Sequence, residues 1–240
     1  MAKKITRSST KKTVKPTVKA EPKKIAKSTA KVNYVSKQDS TKTVIDEIKI
    51  GDQTWTSKNL DVSTYRNGDV IPQVQNEEEW SKLTTGAWCY YENETANGTT
   101  YGKLYNWYAV NDSRGLAPKG YHVPTDAEWT ILTDNLGGTT EACTKMKSTS
   151  GWNEDGNGNN SSGFNGLPGG CRLNTGDFFF VGSYGEWWSS SEINTDEAGN
   201  VKIVGNASPS SCLKLMNDYG KAIMRYEDKQ NGFSVRCLKD

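Results

Sequence analysis

The chain changes character at residue 42, and that boundary limits what can fold. Residues 1–42 carry 13 Lys and Arg against Glu21 and Asp39, a net charge of +11. Residues 43–240 carry the other 17 basic and 26 acidic residues, a net of −9. All eight Trp, and ten of the eleven Tyr, lie in the second part. The first part is Lys, Thr, Ser, Ala and Val interrupted by Pro16 and Pro22, without regular apolar spacing. Such a segment cannot bury enough apolar area to offset its chain entropy. We therefore expect a disordered, Lys-rich arm over 1–42 and a folded domain over 43–240. A body of about 198 residues buries roughly 70% of its unfolded surface, enough for a core of its own.

The opening MAKKITRSSTKK is basic, but no apolar run follows it, so it does not read as a secretion signal. No stretch approaches the ~20 apolar residues of a membrane helix, which predicts no membrane insertion. The expectation is a product that starts in a cytoplasm. Cysteines stand at 89, 143, 171, 212 and 237, with no CxxC pair and only one histidine, His122. That pattern argues against a zinc site and for buried thiols, with a Cys212–Cys237 disulfide left open.

Along the body, VIDEIKIGDQTWTSKNL reads as a hairpin turning at Gly51-Asp52, with Ile48 and Ile50 alternating with polar neighbours. NEEEWSKL predicts a short helix capped by Asn76. GAWCYYEN predicts a strand. In YGKLYNWYAV, Tyr101, Leu104, Tyr105 and Tyr108 are spaced as on one helix face, which favours a helix, although the aromatic content would also suit a strand. HVPTDAEWTILTDNLGG carries the clearest local signal: Thr125 as cap, Glu128 completing a capping box, Gly137-Gly138 as stop, and Trp129, Leu132 and Leu136 as the buried stripe. TEACTKMKS predicts a second short helix. Beyond residue 150 the chain is rich in Gly and Asn. A long loop, two short strands in DFFFVGSYGEWWSSSE, a small hairpin at 201–204, and strands in CLKLMND and KAIMRYED turning at Asp218–Gly220 are expected there.

The final NGFSVRCLKD reads as a strand, with Phe233, Val235 and Cys237 on one face and Ser234, Arg236 and Leu238 on the other. A terminal strand persists only if it is paired. Residues 45–50 are its expected partner, which would bring both ends of the domain together.

IGDQTWTSKNL, YGKLYNWYAV, GYHVPTDAEWTILTDNLGG, SGFNGLPGGCR, YGEWWSSSE and NGFSVRCLKD occur in this order. Together they resemble the Fibrobacter succinogenes major paralogous domain family over roughly residues 44–240. That family is similar to the C-type lectin-like fold, in the branch shared with formylglycine-generating enzymes. The resemblance implies an α+β fold with paired N- and C-terminal strands, short helices and long irregular loops, preceded by the arm. Related domains in some phages use such a frame to display variable loops as binding surfaces.

No catalytic set emerges. Formylglycine-generating relatives use a nearby Cys pair late in the domain, and this chain has no equivalent spacing. One histidine cannot supply a multi-His metal site, and His122, just ahead of the capping box, reads as structural. Glu-Pro-Asn and Gln-Pro-Asp, the tripeptides of calcium-dependent lectin sites, are absent. DGNGNN places Asp155, Asn157 and Asn159 at alternate positions, as an EF-hand begins, but Asn160 and Gly166 stand where Gly and Glu are needed. Calcium is thus a weak candidate cofactor beside the plainer reading of a polar turn.

Trp187 and Trp188 are adjacent in a strand, so one is expected in the core and the other as a ligand platform. Tyr184, Asp218, Tyr219, Arg225 and Tyr226 are further binding candidates near the late loops. In the arm, Lys11, Lys12, Lys15, Lys19, Lys23 and Lys24 are placed to meet nucleic acid phosphates or an acidic protein lattice. The reading is a non-enzymatic binding or display module, with the recognition face in loops 152–166, 192–212 and 217–231. A phage particle protein meeting host glycan or surface protein is the favoured setting, anchored by its arm to capsid, tail or nucleic acid. An intracellular nucleic-acid-associated protein and a divergent enzyme of the formylglycine-generating branch are the alternatives.

Overall fold

A computed structural model describes residues 45–192 and 209–240. The arm and the expected hairpin at 201–204 lie outside the described residues. Within them the chain is mixed α+β, with a few short helices and several small antiparallel sheets.

The N-terminal hairpin is present as β1 (Glu47–Ile50) and β2 (Gln53–Thr56), with Ile48 opposite Trp55. Gly51 sits at φ +59° in its turn, against the Asn135 side chain, where a side chain of its own would collide. Helix α1 (Glu77–Ser81) starts where expected: Asn76 Oδ1 accepts from Glu79 N at 2.8 Å, and the first turn is Glu77 to Glu79. The strand expected in GAWCYYEN is shorter than expected. It is β3 (Trp88–Cys89), followed by a 3-10 turn at Tyr91–Asn93.

The single helix expected from Tyr101 to Tyr108 does not form. Helix α2 (Thr95–Tyr101) ends as Gly102 turns to φ +76°; β4 (Leu104–Tyr105) then pairs with β3, and α3 (Trp107–Val110) begins afresh under Asn106. Aromatic residues suit a strand as well as a helix, and tertiary pairing decided between them. After β5 (Tyr121–His122), α4 (Asp126–Asn135) carries the full capping box, and α5 (Thr139–Met146) follows the Gly137-Gly138 stop.

The later part is a sheet stack. β6 (Gly169–Arg172) pairs with β7 (Phe178–Val181). β8 (Tyr184–Glu192), β9 (Ser210–Met216) and β10 (Ile223–Glu227) form an antiparallel three-stranded sheet with β9 in the middle. The chain ends in β11 (Leu238–Lys239).

The terminal closure is real but shifted by one strand. Leu238 pairs with Trp55 of β2 and with His122 of β5, giving the order β1-β2-β11-β5. The first strand, expected to be the partner, is instead the sheet edge. The reason lies in burial: Phe233 to Leu238 are all buried, on both faces, so the terminal segment takes an interior position. Upstream of β11 it is held by scattered bonds. Thr56 N donates to Cys237 O at 2.9 Å, Leu60 N to Val235 O at 2.8 Å, and Trp188 N to Ser234 O at 3.1 Å.

Two hydrophobic clusters flank β8. Trp187 packs with Trp55, Trp129, Phe164 and Leu213, while Trp188 packs with Tyr105, Trp107 and Phe233. All five cysteines are buried and free, Cys212 and Cys237 included. Among the described residues no helix is long and apolar enough to cross a membrane.

Candidate functional site

The β6-β7 hairpin and Tyr184, at the start of β8, create an exposed aromatic platform. Gly170 and Phe180 face each other across the hairpin, and both have positive φ, +65° and +68°. Gly170 is required there: a Cβ would lie 2.5 Å from Phe179 O. Phe180 is a bulky residue held in the left-handed region, at a cost of about 1–3 kcal/mol. The kink lays its ring over Tyr184 at 4.3 Å in a stacked arrangement, with Phe179 at 5.6 Å. Phe180 remains 43% exposed, and Phe179 and Val181 are similarly open. Phe179, Phe180 and Val181 thus form a contiguous exposed apolar run on one strand, one of its residues strained.

Charged groups lie under the platform. Lys214 Nζ sits 3.9 Å from the Tyr184 ring centre and 3.0 Å from Glu186 Oε1. Glu186 is only 2% exposed, and its Oε2 has no hydrogen-bond partner. Burial pushes the Glu186 carboxyl above its ordinary pKa, and Lys214 opposes that rise. Burial works against the Lys214 charge too, but Glu186, with Glu227 and Tyr184, offsets it and the Lys214 pKa is raised. Glu227, across the sheet, is raised by burial and by repulsion from Glu186. Its Oε2 accepts from Asn231 Nδ2 at 3.3 Å. Strand alternation places Glu186, Lys214 and Arg225 on one face, because Glu186 pairs with Lys214 and Arg225 with Cys212. The result is an aromatic surface over a lysine whose charge is held by carboxylates, an arrangement suited to binding.

The structure sorts the expected site residues. Tyr184 lies in the platform, and Arg225 is exposed on the same sheet face. Tyr226 is exposed on the opposite face of β10, and Asp218 and Tyr219 are exposed in the β9-β10 turn. Trp187 and Trp188 require correction: both are 0% exposed, so neither is a platform. They do face opposite ways, but each side of β8 is covered by a core. Trp188 Nε1 donates to Tyr105 O at 2.7 Å and Trp187 Nε1 to Asn59 Oδ1 at 2.8 Å, which fixes both indoles inside.

Asp155, Asn157 and Asn159 are exposed, but Asn157 Oδ1 accepts from Trp152 N and Asn159 Oδ1 from Ser161 N. Those two oxygens serve the turn. Loop 152–166 is partly internal, since Trp152 and Phe164 are buried. Residues 193–208 of the second expected loop, and Lys11, Lys12, Lys15, Lys19, Lys23 and Lys24, lie outside the described residues. His122 bonds Glu128 Oε1 at 2.9 Å and Asp240 Oδ1 at 2.8 Å, a tie between the α4 capping box and the C-terminus.

Sequence reasoning missed Phe179, Phe180 and Lys214. The signal was the run FFFV in a short strand between Asp177 and Gly182. Alternation sends neighbouring residues to opposite faces, so a two-stranded hairpin cannot bury all four.

The Fibrobacter succinogenes major domain matches residues 48–239. No curated protein and no solved structure is detectably similar to the chain.

Proposed function

The chain belongs to the Fibrobacter succinogenes major domain family, and from that premise we propose that it is a non-enzymatic recognition module of C-type lectin-like fold. The fold reading is supported by a terminal segment inserted beside β2, which fixes the base of the domain while irregular connections run between short elements. The binding reading is carried by one observation: Phe180 is held at φ +68° and stacked on Tyr184 in the open. Strain and exposed apolar area both cost stability, and a ligand that covers the rings recovers part of that cost. A flat aromatic face beside a lysine suits a sugar ring of a surface glycan, or an apolar patch of a surface protein.

The particle setting and the role of the arm rest on charge alone. A net of +11 over 42 residues supports docking on nucleic acid or on an acidic lattice. An intracellular nucleic-acid role would need that arm to be the principal binding element. A glycan array probed with the full chain, with added salt to screen the arm and with and without EDTA, tests recognition and calcium dependence together. Binding that survives salt supports the domain as the reader. Binding that disappears with salt, or arises only on polyanions, supports the arm instead.

A further inference from the structure

A second concave site lies away from the aromatic platform and shares no residue with it. It is a cleft of about 360 Å³ between the segment 57–61, the end of α2 and Asn165, with Arg236 in its wall. Arg236 is 1% exposed and makes four hydrogen bonds, all to neutral acceptors. Its Nη1 donates to Thr56 O and Phe164 O; Nε and Nη2 both donate to Asn59 Oδ1. A guanidinium has five N–H donors, so one Nη2 hydrogen is left over. Burial without a carboxylate nearby pushes its pKa down to about 9.

The other charges of the cleft are matched. Lys58 holds Asp46 at 3.2 Å and Asp61 Oδ1 holds Lys103 at 2.5 Å. Arg236 is thus the cation of the cleft without an ion-pair partner among the described residues. The rim is hydroxyl-rich with defined polarity. Thr99 and Thr100 spend their hydroxyl hydrogens on Thr95 O and Ala96 O, leaving oxygens that accept. Asn165 is exposed, with its backbone N–H and its Oδ1 engaged by Asn160. Its Nδ2 is left to donate into the cleft, as Asp61 Oδ2 is left to accept.

We infer that this cleft binds an acidic sugar residue, its carboxylate drawn to Arg236 and its hydroxyls read by Thr99, Thr100, Asp61 and Asn165. A carboxylate supplies the charge that Arg236 lacks, and ring hydroxyls both donate and accept, as the mixed rim requires. A cleft of this size takes one ring with room for a glycosidic neighbour.

The test is a titration of the full chain with sodium glucuronate, glucose and acetate, followed by amide chemical shifts. Arg236→Lys is unsuitable alone, because Arg236 also ties the terminal segment to β2 and Phe164. Thr100→Val removes an acceptor from an exposed helix surface. Asn165→Asp removes the Nδ2 donor and adds a negative charge to the cleft that receives the carboxylate, and Asp tolerates the φ of +52° found there. Expected are saturable shifts at Thr99, Thr100, Gly102 and Asn165 with glucuronate, at least about 10-fold tighter than with glucose or acetate. Both variants should weaken binding by about 10-fold while leaving the rest of the spectrum in place. The inference is overturned if glucuronate gives no saturable shift, if acetate binds as well, or if neither variant matters. Variants of Phe180 or Tyr184 leave this binding unchanged, so failure here is separate from failure of the aromatic platform.

Discussion

Trp187 and Asn59 lie 128 residues apart in sequence, and the Trp187 indole N–H donates to Asn59 Oδ1 at 2.8 Å inside the domain. The same oxygen accepts from Arg236 Nε and Nη2 at 3.2 and 3.0 Å, while Asn59 Nδ2 donates to Tyr101 O and Ser234 Oγ. One amide thus joins the segment after the N-terminal hairpin, the end of α2, strand β8 and the C-terminal segment.

Removing that amide leaves two N–H groups of a buried cation and an indole N–H without their acceptor. Asn59→Ala is expected to cost about 3 kcal/mol or more, since each orphaned buried group costs about 1–3 kcal/mol and charged ones more. Urea denaturation followed by tryptophan fluorescence measures it. A loss within 0.5 kcal/mol of zero, on the order of a typical surface substitution, would remove Asn59 from its place as the joint.

Lys214 and Glu186 form a buried pair, 13% and 2% exposed at their side chains. Lys214→Met leaves Glu186 uncompensated and should destabilise by about 3–5 kcal/mol. Adding Glu186→Leu should restore most of the loss, because a buried pair is often replaceable by apolar residues. A double variant no better than the single would show that the pair's attraction is not what Lys214 contributes.

Burial pushes the Cys89 and Cys237 thiols up to about 12, and holds Cys171 and Cys212 above the ordinary range as well. The native chain should therefore react slowly with a thiol reagent, and all five cysteines should react after denaturation. A count of three in the denatured, unreduced protein would instead reveal a disulfide.

Local signals in the sequence carried far. The Thr125 capping box, the Asn76 cap, the Gly137-Gly138 stop and the β9-β10 hairpin are all present because each is decided by neighbours within a few residues. The Tyr101–Tyr108 helix failed because its spacing fits two structures, and pairing of Leu104 with Cys89 selected the other. The terminal strand was legible, but not its partner: Ile48 and Trp55 look alike as edges until burial of both faces of residues 233–238 puts the segment inside. The FFFV run marks apolar residues a two-stranded hairpin cannot all bury, but the kink opposite Gly170 that stacks Phe180 on Tyr184 is set by tertiary contacts.

His122 gives a pH signature. Burial opposes its charge, but the hydrogen bonds it donates to the Asp240 and Glu128 carboxylates, with their negative charge, outweigh that and raise its pKa above 6.5. A raised folded value means the stabilisation is complete below 6.5 and is lost as pH rises through the folded pKa. His122→Gln should therefore cost more at about pH 5.5 than at about pH 8.5, read as the difference in urea midpoint. Equal costs at both values would show that the charge on His122 contributes nothing.

The central claim is that the platform of Phe180 and Tyr184 is the reading surface. The direct measurement compares the full chain with the Phe180→Gly/Tyr184→Ala variant, glycine being free to adopt the φ of +68°, on the same glycan and cell-surface probes, at equal salt. Because Phe180 is exposed and strained, the variant is expected to match or exceed the parent in thermal stability while losing about 10-fold or more in binding. A variant that binds as tightly as the parent would contradict the account.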